Sequence, residues 1–377
     1  MAIAFRRAQS TEYPRIKEFL HQHWAPNHLY VRMPEMFEWT FGKGHFLVDE
    51  PYHAMIAEDK DEIVGFLGGI PFVLNEHGRS KRGVWLANHL LRADYRKGSL
   101  GLQLLNTFRT KENNAVVAFG MNPAGVPMYR LLRADVLTNI PRHFLTFPHA
   151  DQRMQRLLQV AHPEWAPEKH VSLTKMFTVS RIPGNAIEFA HGLPEEWDKQ
   201  GWSLLAPQAV GCARNGAYLR WRFLNHPCFE YRMIAVSLGD QMGLAIWRLE
   251  TIRVASQEGQ EDFDKIGRLV EFLAPSKDVA TKLWDAYVSQ LLAADVLGTD
   301  YYGFHGVTGA WLRELGFLCV DDHPDGHAIP SRFQPLDGRG GPLVSAVFLD
   351  ADIPKCQSGP DCVWYWTKSD SDQDRPT

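Results

Sequence analysis

Cysteine is scarce in this sequence, and the few cysteines are arranged neither as pairs nor as zinc ligands. The chain has 377 residues and 5 cysteines, with no C-x-x-C motif and no histidine at zinc-ligand spacing. They are scattered over the second half of the chain, at Cys212, Cys228, Cys319, Cys356 and Cys362. This pattern argues against a disulfide-rich extracellular scaffold and predicts reduced thiols in the cytoplasm.

Long apolar runs and an excess of positive charge are also missing. No window approaches the ~20 apolar residues of a transmembrane helix, and residues 1–7 carry charge where a signal peptide needs an apolar stretch. The 40 Lys and Arg residues are balanced by 44 Asp and Glu, so the net charge of −4 creates no overall attraction to nucleic acid or anionic membrane. We therefore predict a cytoplasmic protein with neither kind of partner.

What the sequence does contain is typical of a globular protein. Hydrophobic residues make up 45% and charged residues 22%, and the length suggests two or three domains. Short apolar runs alternate with amphipathic stretches, which predicts a mixed α/β fold. In the first part of the chain we predict strands at residues 2–8, 53–57, 63–74, 84–91 and 115–120, and helices at residues 11–23, 100–111 and 126–132.

Prolines mark a boundary in the middle of the chain. We predict a first domain over residues 1–147, a linker over residues 148–168 that encloses a short helix, and a second domain over residues 169–377. The second block resembles a repeat of the first, because residues 37–41 (FEWTF) and 219–223 (LRWRF) precede similar predicted strands. The alternative is two unrelated α/β halves with chance matches.

A turn rich in cations and glycine follows the strand predicted at residues 84–91. It contains Arg96, Lys97, Gly98 and Gly101 and opens the next predicted helix. Unpaired backbone N–H groups at such a turn, together with the two cations, favour an anion such as a pyrophosphate. The alternative is an ordinary tight turn whose charged side chains are solvated.

Residues 96–101, Arg-Lys-Gly-Ser-Leu-Gly, resemble the pyrophosphate loop of the GNAT superfamily of acyl-CoA-dependent acyltransferases, which has the pattern Arg or Gln-x-x-Gly-x-Gly or Ala. Ser99 replaces the first glycine of the pattern. Asn122 precedes Tyr129 by seven residues, as in the N-x-x-A-x-x-x-Y segment of the family, with Gly125 in place of the alanine. The resemblance covers nearly all of residues 1–147 and implies two tandem GNAT-like α/β domains, each with a mixed central sheet flanked by helices.

The resemblance also implies roles for particular residues. Tyr129 would protonate the departing thiolate of the coenzyme, which a phenol of pKa ~10 can do. Backbone N–H groups near Leu91 would polarise the thioester carbonyl. The residues expected to bind the coenzyme are Leu91, Arg92, Arg96, Lys97, Gly98, Ser99, Leu100, Gly101 and Asn122.

His89 is the candidate for the base. Strand alternation places Trp85, Ala87, His89 and Leu91 on one face of the strand, and the resemblance turns that face toward the acyl group and acceptor. Of these four, only His89 can titrate near neutral pH, so it could take a proton from an amine. A hydrogen-bonded structural histidine is the alternative.

The second half has no equivalent of the anion-binding turn. At the corresponding position, residues 273–278 read Leu-Ala-Pro-Ser-Lys-Asp, without glycine and with an acid. Phe304 falls where Asn122 lies, and Trp311 falls where Tyr129 lies. We therefore expect the first half to carry the chemistry and the second half to shape the acceptor pocket or to cover the first.

This chain has a Trp-Arg-Phe-x-x-His-Pro segment at residues 221–227 and an acidic tail at residues 369–376. In these features it resembles the tandem GNAT chains that are N-acyltransferases of nucleotide-linked 3-amino-3,6-dideoxyhexoses. The resemblance implies acceptor contacts from Trp24, Asn27, His28 and Trp39, and a diphosphate could meet Arg220, Arg222 and His226. An Arg-rich edge facing solvent is the alternative for these last three. Asp370, Asp372 and Asp374 alternate on what we expect to be a mobile end, and because the calcium-loop Gly and Glu are missing we predict no metal.

The sequence thus predicts an N-acyltransferase that moves an acyl group from acyl-CoA, acetyl or short hydroxyacyl, to the amine of a nucleotide-linked amino sugar in surface-polysaccharide biosynthesis. Attack is direct, because the loop and strand would hold the thioester and the amine together, and the absence of cysteine from the candidate segments agrees with this. Two alternatives are an aminoacyl-tRNA-dependent tandem GNAT transferase and a non-catalytic GNAT-fold binding protein. The oligomeric state is not predicted.

Overall fold

The computed structural model describes residues 3–180, 182, 187–256, 259–337, 343–357, 359 and 361–374. Over these residues the protein is a mixed α/β structure, with a large sheet flanked by helices, which confirms the predicted fold class. All five cysteines are free thiols. Every helix in the described ranges is too short or too polar to cross a lipid bilayer.

The helices lie where amphipathic stretches predicted them, with several additions. The helix predicted at residues 100–111 ends earlier than expected, at Asn106, and its apolar stripe is buried. In chain order the α-helices are α1 (Tyr13–His23), α2 (Leu29–Arg32), α3 (Pro34–Phe41), α4 (Leu100–Asn106), α5 (Val126–Leu131), α6 (Asp151–Ala161), α7 (Pro167–Phe177), α8 (Ser203–Leu205), α9 (Gly216–Leu219), α10 (Lys277–Ala293) and α11 (Gly306–Glu314).

Sixteen of the strands in the described residues form one sheet, to which both halves of the chain contribute. The strands are β1 (Ala4–Arg7), β2 (Ala54–Asp59), β3 (Glu62–Glu76), β4 (Arg79–Leu91), β5 (Ala115–Phe119), β6 (Asp135–Leu137), β7 (Arg142–Thr146), β8 (Ala190–His191), β9 (Val210–Cys212), β10 (Arg232–Leu238), β11 (Gln241–Ser256), β12 (Gly259–Leu273), β13 (Gly298–Phe304), β14 (Leu318–Cys319), β15 (Arg332–Phe333), β16 (Leu336–Asp337), β17 (Ser345–Leu349) and β18 (Trp364–Thr367). Strands β15 and β16 pair only with each other.

The two halves repeat one order of elements. In the first, β2, β3 and β4 are antiparallel, helix α4 follows, and β5 returns parallel to β4 before α5. In the second, β10, β11 and β12 are antiparallel, α10 follows, and β13 returns parallel to β12 before α11. This agreement supports the predicted internal repeat.

The matching tryptophans of the repeat contact each other. Trp39 on α3 stacks on Trp221, in the helical turn that continues α9, with ring centroids 4.6 Å apart. The indole N–H of Trp39 donates to the carbonyl of Trp221 at 3.1 Å, and the indole N–H of Trp221 donates to the carbonyl of Trp39 at 3.2 Å. This reciprocal pair joins equivalent positions of the two halves.

Each half closes its sheet with a strand from the other half. Strand β7, the last strand of the first half, pairs with β13 of the second, and β17 near the end of the chain pairs with β5 of the first. Strands β9 and β18 also connect β3 to β13. Strands at both ends therefore pair across the predicted division into residues 1–147 and 169–377. The predicted linker is likewise structured, since residues 148–168 contain α6 and the start of α7, whose apolar faces are buried.

The acidic segment at the end of the described chain is buried rather than mobile. Asp370 is fully buried and forms an ion pair with Arg214 at 2.8 Å, and Asp374 pairs with Arg248 at 2.9 Å. The expectation of a mobile tail is therefore wrong. Buried carboxylates require such cations, because an unpaired charge is costly to remove from water.

Candidate active site

An opening in the sheet lies between β4 and β5. The two strands pair in parallel only as far as Leu86 and Ala118, although β4 continues to Leu91. Beyond these residues the strands diverge. The N–H and C=O groups on this side of the end of β4 therefore have no partner in β5, which leaves a strand edge facing the opening.

A β-bulge in β4 changes which side chains face the opening. Gly68 is paired with Ala87 and Phe66 with Leu90, so one residue of β3 faces two of β4. Asn88, within the bulge, has a positive φ of 58°. A bulge adds a residue and re-aims the side chains that follow it.

The expectation that four alternate residues of β4 share one face is therefore wrong. Trp85 and Ala87 pack in one core cluster together with Leu90. Leu91 packs on the opposite side, and a Cβ at Gly101 of α4 would lie within 3.5 Å of both Leu91 and His89. His89 and Leu91 thus face the start of α4, away from Trp85.

The turn between β4 and α4 lines a solvent-filled groove, here called the loop groove. Gly98 has a φ of +114°, which favours glycine, and the Nε of Arg96 donates to the carbonyl of Leu91 at 3.1 Å. The groove has a volume of about 640 Å³ and is lined by His89, Leu90, Leu91, Arg96, Gly98, Ser99, Gly101, Leu102 and Met128. The structure thus brings together most of the residues expected to bind a coenzyme.

Four of the nine expected coenzyme contacts lie outside the lining of the loop groove, namely Arg92, Lys97, Leu100 and Asn122. Arg92 forms ion pairs with Glu62 at 2.7 Å and Asp94 at 2.9 Å, so its charge is already engaged. Lys97 is exposed on the turn, and the side chain of Leu100 is buried in the core under α4. Neither Arg92 nor Leu100 therefore lines the loop groove.

A second concavity, here called the central cleft, lies between the diverging ends of β4 and β5. Its volume is about 370 Å³. It is lined by Trp24, Leu86, Ala87, Asn88, His89, Ala118, Phe119, Gly120, Met121, Asn122, Gly125, Met128, Tyr129, Asp372 and Gln373. Because His89 and Met128 line both concavities, the loop groove and the central cleft adjoin each other.

His89 therefore lies where the two concavities meet. Part of its ring is exposed to the cleft, while desolvation by the surrounding wall lowers its pKa, and a backbone hydrogen bond at Gly101 opposes this effect. Since the ordinary pKa is ~6.5, a lowered value keeps the imidazole neutral at neutral pH. A neutral ring can accept a proton.

Tyr129 and Asn122 line the far wall of the central cleft. Burial raises the pKa of Tyr129 to about 12, so the phenol keeps its proton at neutral pH. The side chain of Asn122 accepts a hydrogen bond from the N–H of Ala124 at 2.9 Å and so starts the turn that leads into α5. Asn122 thereby fixes the helix that carries Tyr129.

The residues expected to bind the acceptor fall into two groups. Trp24 is exposed at the central cleft and stacks on His28 with ring centroids 4.5 Å apart, while Asn27 is exposed beside them. His28 caps α2 by accepting from the N–H of Tyr30. Of these residues, Trp24 lines the cleft itself.

The second group is buried away from both concavities, which corrects the expectation for it. Trp39 packs on Trp221 in the interface between the halves, as described above. Arg222 is buried, and its guanidinium donates to the carbonyls of Ser369 at 2.6 Å and Asp374 at 3.2 Å. A buried side chain with internal partners cannot meet a diphosphate.

His226 and Arg220 also lie outside the clefts. His226 is buried, accepts hydrogen bonds from the N–H groups of Cys228 and Phe229, and has a pKa lowered to about 3 by desolvation and by the nearby Arg222. It therefore caps a turn as a neutral ring. Arg220 is exposed on the helical turn and lines neither concavity.

The corresponding gap in the second half contains a strand. Pairing between β12 and β13 ends at Leu269 and Tyr301, beyond which β18 pairs with Gly303 and Phe304. The hydroxyl of Tyr365 on β18 donates to Glu271 on β12 at 2.9 Å. The connection between β12 and α10 is only residues 274–276. The open gap thus belongs to the first half.

Comparison with known proteins identifies the fold. No family model matches the sequence, and no curated protein sequence matches it. A solved GCN5-related N-acetyltransferase from Anabaena variabilis ATCC 29413 aligns with 92% of this chain and 73% of its own, with a TM-score of 0.54 at 11% identity. One from Kribbella flavida aligns with 92% of this chain and 72% of its own, with a TM-score of 0.51 at 13% identity.

N-myristoyltransferase from Saccharomyces cerevisiae, solved with bound myristoyl-CoA, is similar over a comparable length. It aligns with 96% of this chain and 83% of its own, with a TM-score of 0.53 at 10% identity. The chain therefore has the mixed α/β fold of the GCN5-related N-acetyltransferases, and these alignments extend across both halves.

Proposed function

We propose that the protein is an acyl-CoA-dependent N-acyltransferase that uses the opening between β4 and β5. The observation that carries the proposal is that the end of β4 beside the loop groove does not pair with β5. An acyl-CoA has an anionic pyrophosphate and an extended arm with two amides. The loop with Arg96, Lys97 and Gly98 suits the pyrophosphate, and the strand edge suits the amides.

The reacting groups would meet at His89, where the two concavities adjoin. The bulge at Asn88 leaves a backbone residue outside the ladder, so its N–H can stabilise the developing oxyanion of the thioester. Neutral His89 accepts a proton from the amine, and Tyr129 donates one to the departing thiolate. No cysteine lines either concavity in the described chain, so the amine attacks directly.

For the acceptor we propose the amino group of a nucleotide-linked amino sugar, within cytoplasmic surface-polysaccharide biosynthesis. The exposed ring of Trp24 at the central cleft supports this class, because an exposed aromatic ring can pack against the apolar face of a sugar or against a base. The donor we propose is acetyl-CoA or a short hydroxyacyl-CoA. Transfer from aminoacyl-tRNA and non-catalytic binding are the competing outcomes.

Calorimetric titration with CoA and acetyl-CoA tests the donor site. We expect micromolar binding by the wild type and an affinity about 50-fold lower for Arg96→Glu, which removes a cation from the loop groove and adds a repelling charge. Arg79→Glu is the matched control, since Arg79 is exposed at the opposite end of β4. Absence of binding at millimolar coenzyme would refute the proposal. Release of CoA thiol with a panel of amines then identifies the acceptor.

His89→Ala should lower turnover at neutral pH by about 100-fold while coenzyme binding persists. Since the pKa of His89 lies below its ordinary value, wild-type kcat/KM should fall only as the pH drops through that lowered pKa and the ring gains a proton. A pH-rate profile by thiol release measures both effects. Turnover near that of the wild type would exclude His89 as the base.

A further inference from the structure

A segment from the end of the described chain forms part of the wall of the central cleft. Residues 369–374 follow β18, and Gln373 lines the cleft together with Phe119 and Gly120 at the end of β5. On the β4 side of the gap the cleft is lined by His89. The last part of the chain therefore supplies a side chain to a site that is built mainly by the first half.

The segment that carries Gln373 is fixed by ion pairs. Asp370, three residues before it, pairs with Arg214 at 2.8 Å, and Asp374, the next residue, pairs with Arg248 at 2.9 Å. All four of these charged side chains are buried. Breaking either pair would leave a buried charge without its partner, which is costly. The backbone at Gln373 is therefore held in place by the fold of the second half.

The amide group of Gln373 is oriented by two acceptors. Its Nε2 donates to the carbonyl of Phe119 at 3.1 Å and to Oδ1 of Asp372 at 2.9 Å. Since both partners are oxygens that can only accept, the donor of the amide must be on that side. A flipped amide would place its own oxygen against these two oxygens. The orientation of Oε1 follows from that of Nε2.

The Oε1 of Gln373 is an acceptor that the protein leaves open. In the part of the chain that the structure describes, no N–H or O–H group donates to it. Protein atoms do not cover it either, so solvent in the central cleft reaches it. An amide oxygen accepts hydrogen bonds and donates none. A ligand that displaces this solvent must therefore supply an N–H or O–H group.

A glycine directly after β5 makes room for this oxygen. Gly120 has a φ of +67°, and a Cβ at this position would overlap Oε1 of Gln373. Any other residue would strain the backbone and displace the amide. The close approach of Oε1 to Gly120 places the open acceptor on the β5 side of the gap.

His89 and Gln373 consequently lie on opposite sides of the gap. Strands β4 and β5 pair no further than Leu86 and Ala118, and they diverge from a spacing that is already about 4.8 Å between paired strands. An acceptor whose amine lies at His89 therefore meets Gln373 with a second group. Among the described residues that line the cleft there is no lysine or arginine, which disfavours an anionic group. A hydroxyl is the neutral donor that matches an amide oxygen.

We propose that the Oε1 of Gln373 accepts a hydrogen bond from a hydroxyl of the acceptor and so selects amines that carry a hydroxyl near the amino group. The inference rests on the proposed acyltransferase function and specifies its acceptor as an amino alcohol, a class that includes the amino sugars. An ether has no proton to donate to this oxygen, and an anion is repelled by it. Gln373 is then a specificity-determining residue that the end of the chain supplies to the first half.

The first measurement uses the wild type alone, with acetyl-CoA as donor. A panel of amino sugars, cyclic amino alcohols and alkylamines identifies the amino alcohol with the highest rate, and the same compound with the hydroxyl nearest its amine methylated is the comparison. The two amines have similar basicity, but only the first can donate to Gln373. We expect kcat/KM to be about tenfold higher for the amino alcohol, which corresponds to one neutral hydrogen bond.

The second measurement repeats this comparison with Gln373→Met, which keeps the length of the side chain and removes the amide. The preference should fall to within about twofold, through a lower kcat/KM for the amino alcohol, while the Kd for CoA stays within about twofold of the wild type. Gln208→Met is the matched control. Gln208 is exposed, and its Nε2 likewise donates to a backbone carbonyl, that of Leu204 at 2.7 Å, outside the loop groove and the central cleft. This control should keep the full preference.

The outcomes separate the role of Gln373 from the proposed function. Equal kcat/KM for the two compounds in the wild type overturns the role of Gln373, whether or not any variant folds. An unchanged preference in a folded Gln373→Met, or transfer to alkylamines but to no amino alcohol, overturns it as well. No transfer to any amine by the wild type instead refutes the proposed function itself.

Discussion

Replacing Arg214 with alanine should lower the free energy of unfolding by about 3–5 kcal/mol, because it leaves two buried carboxylates without their cation. The side chain is buried, with its Nε 2.9 Å from Glu271 and its Nη2 2.8 Å from Asp370. It also donates to the carbonyl of Cys212 at 3.0 Å. Three segments, β9, β12 and the end of the chain, therefore depend on one guanidinium. Denaturation by urea measures the loss.

Arg15→Ala is the matched control for this prediction. Arg15 also contacts two carboxylates, Glu12 at 2.6 Å and Glu58 at 2.9 Å, but its side chain is 43% exposed. Exposed pairs are screened by water, so this loss should stay within about 1 kcal/mol. Adding Asp370→Asn to Arg214→Ala should recover part of the stability, because one unpaired charge is removed. If Arg214→Ala and Arg15→Ala lowered the free energy of unfolding equally, burial would not be the reason for the large effect expected at Arg214.

The elements of the first half could be predicted because their signals are local. Leu100, Leu104 and Phe108 recur at helical spacing and are buried, and the glycine that the turn requires is visible as Gly98. The repeat was detectable because both copies keep a tryptophan, at Trp39 and Trp221, in the same position before a strand. Periodicity and turn chemistry depend on neighbours in sequence.

The features that were mispredicted depend on distant contacts. Nothing near β7 or β17 in sequence indicates that each strand pairs in the opposite half. The bulge at Asn88 reverses strand alternation in β4, and no glycine or proline marks it. Arg222 and Asp374 are charged residues of the kind usually found on a solvated surface. Both are nevertheless buried, and Arg222 donates a hydrogen bond to the backbone carbonyl of Asp374. The burial of a charged residue can be predicted only when its ion-pair or hydrogen-bond partner is known.

The same limits explain the outcome for the candidate site. Residues of the loop groove, such as Arg96 and Gly98, lie close together in sequence and could be recognised as a group. Asp372 and Gln373 come from the far end of the chain, and their only sequence signal is the alternation of aspartates. That signal indicated a surface tail, because alternation alone does not distinguish a solvated strand from a segment paired with buried arginines.

Tyr129→Phe should lower the rate of acyl transfer by about 1000-fold, within the range for loss of a general acid. The substitution keeps the buried ring, whose centroid lies 5.8 Å from that of Phe348, and removes only the hydroxyl of a residue that lines the central cleft. Because burial raises the pKa of Tyr129 to about 12, the phenol is protonated throughout the neutral and mildly alkaline range. The loss should therefore be uniform across that range, and the wild type should show no alkaline decline from this group until the pH approaches about 12.

Tyr95→Phe provides the control, since Tyr95 lies next to the loop but its hydroxyl donates to Asp59 at 2.5 Å, outside both concavities. Its rate should stay close to that of the wild type. Thiol release over the pH range measures turnover, and calorimetry with CoA checks that both variants retain the donor site. A rate for Tyr129→Phe equal to that of Tyr95→Phe at every pH would exclude Tyr129 as the acid. The thiolate would then be protonated by solvent, and the buried phenol would serve only to pack α5 against the sheet.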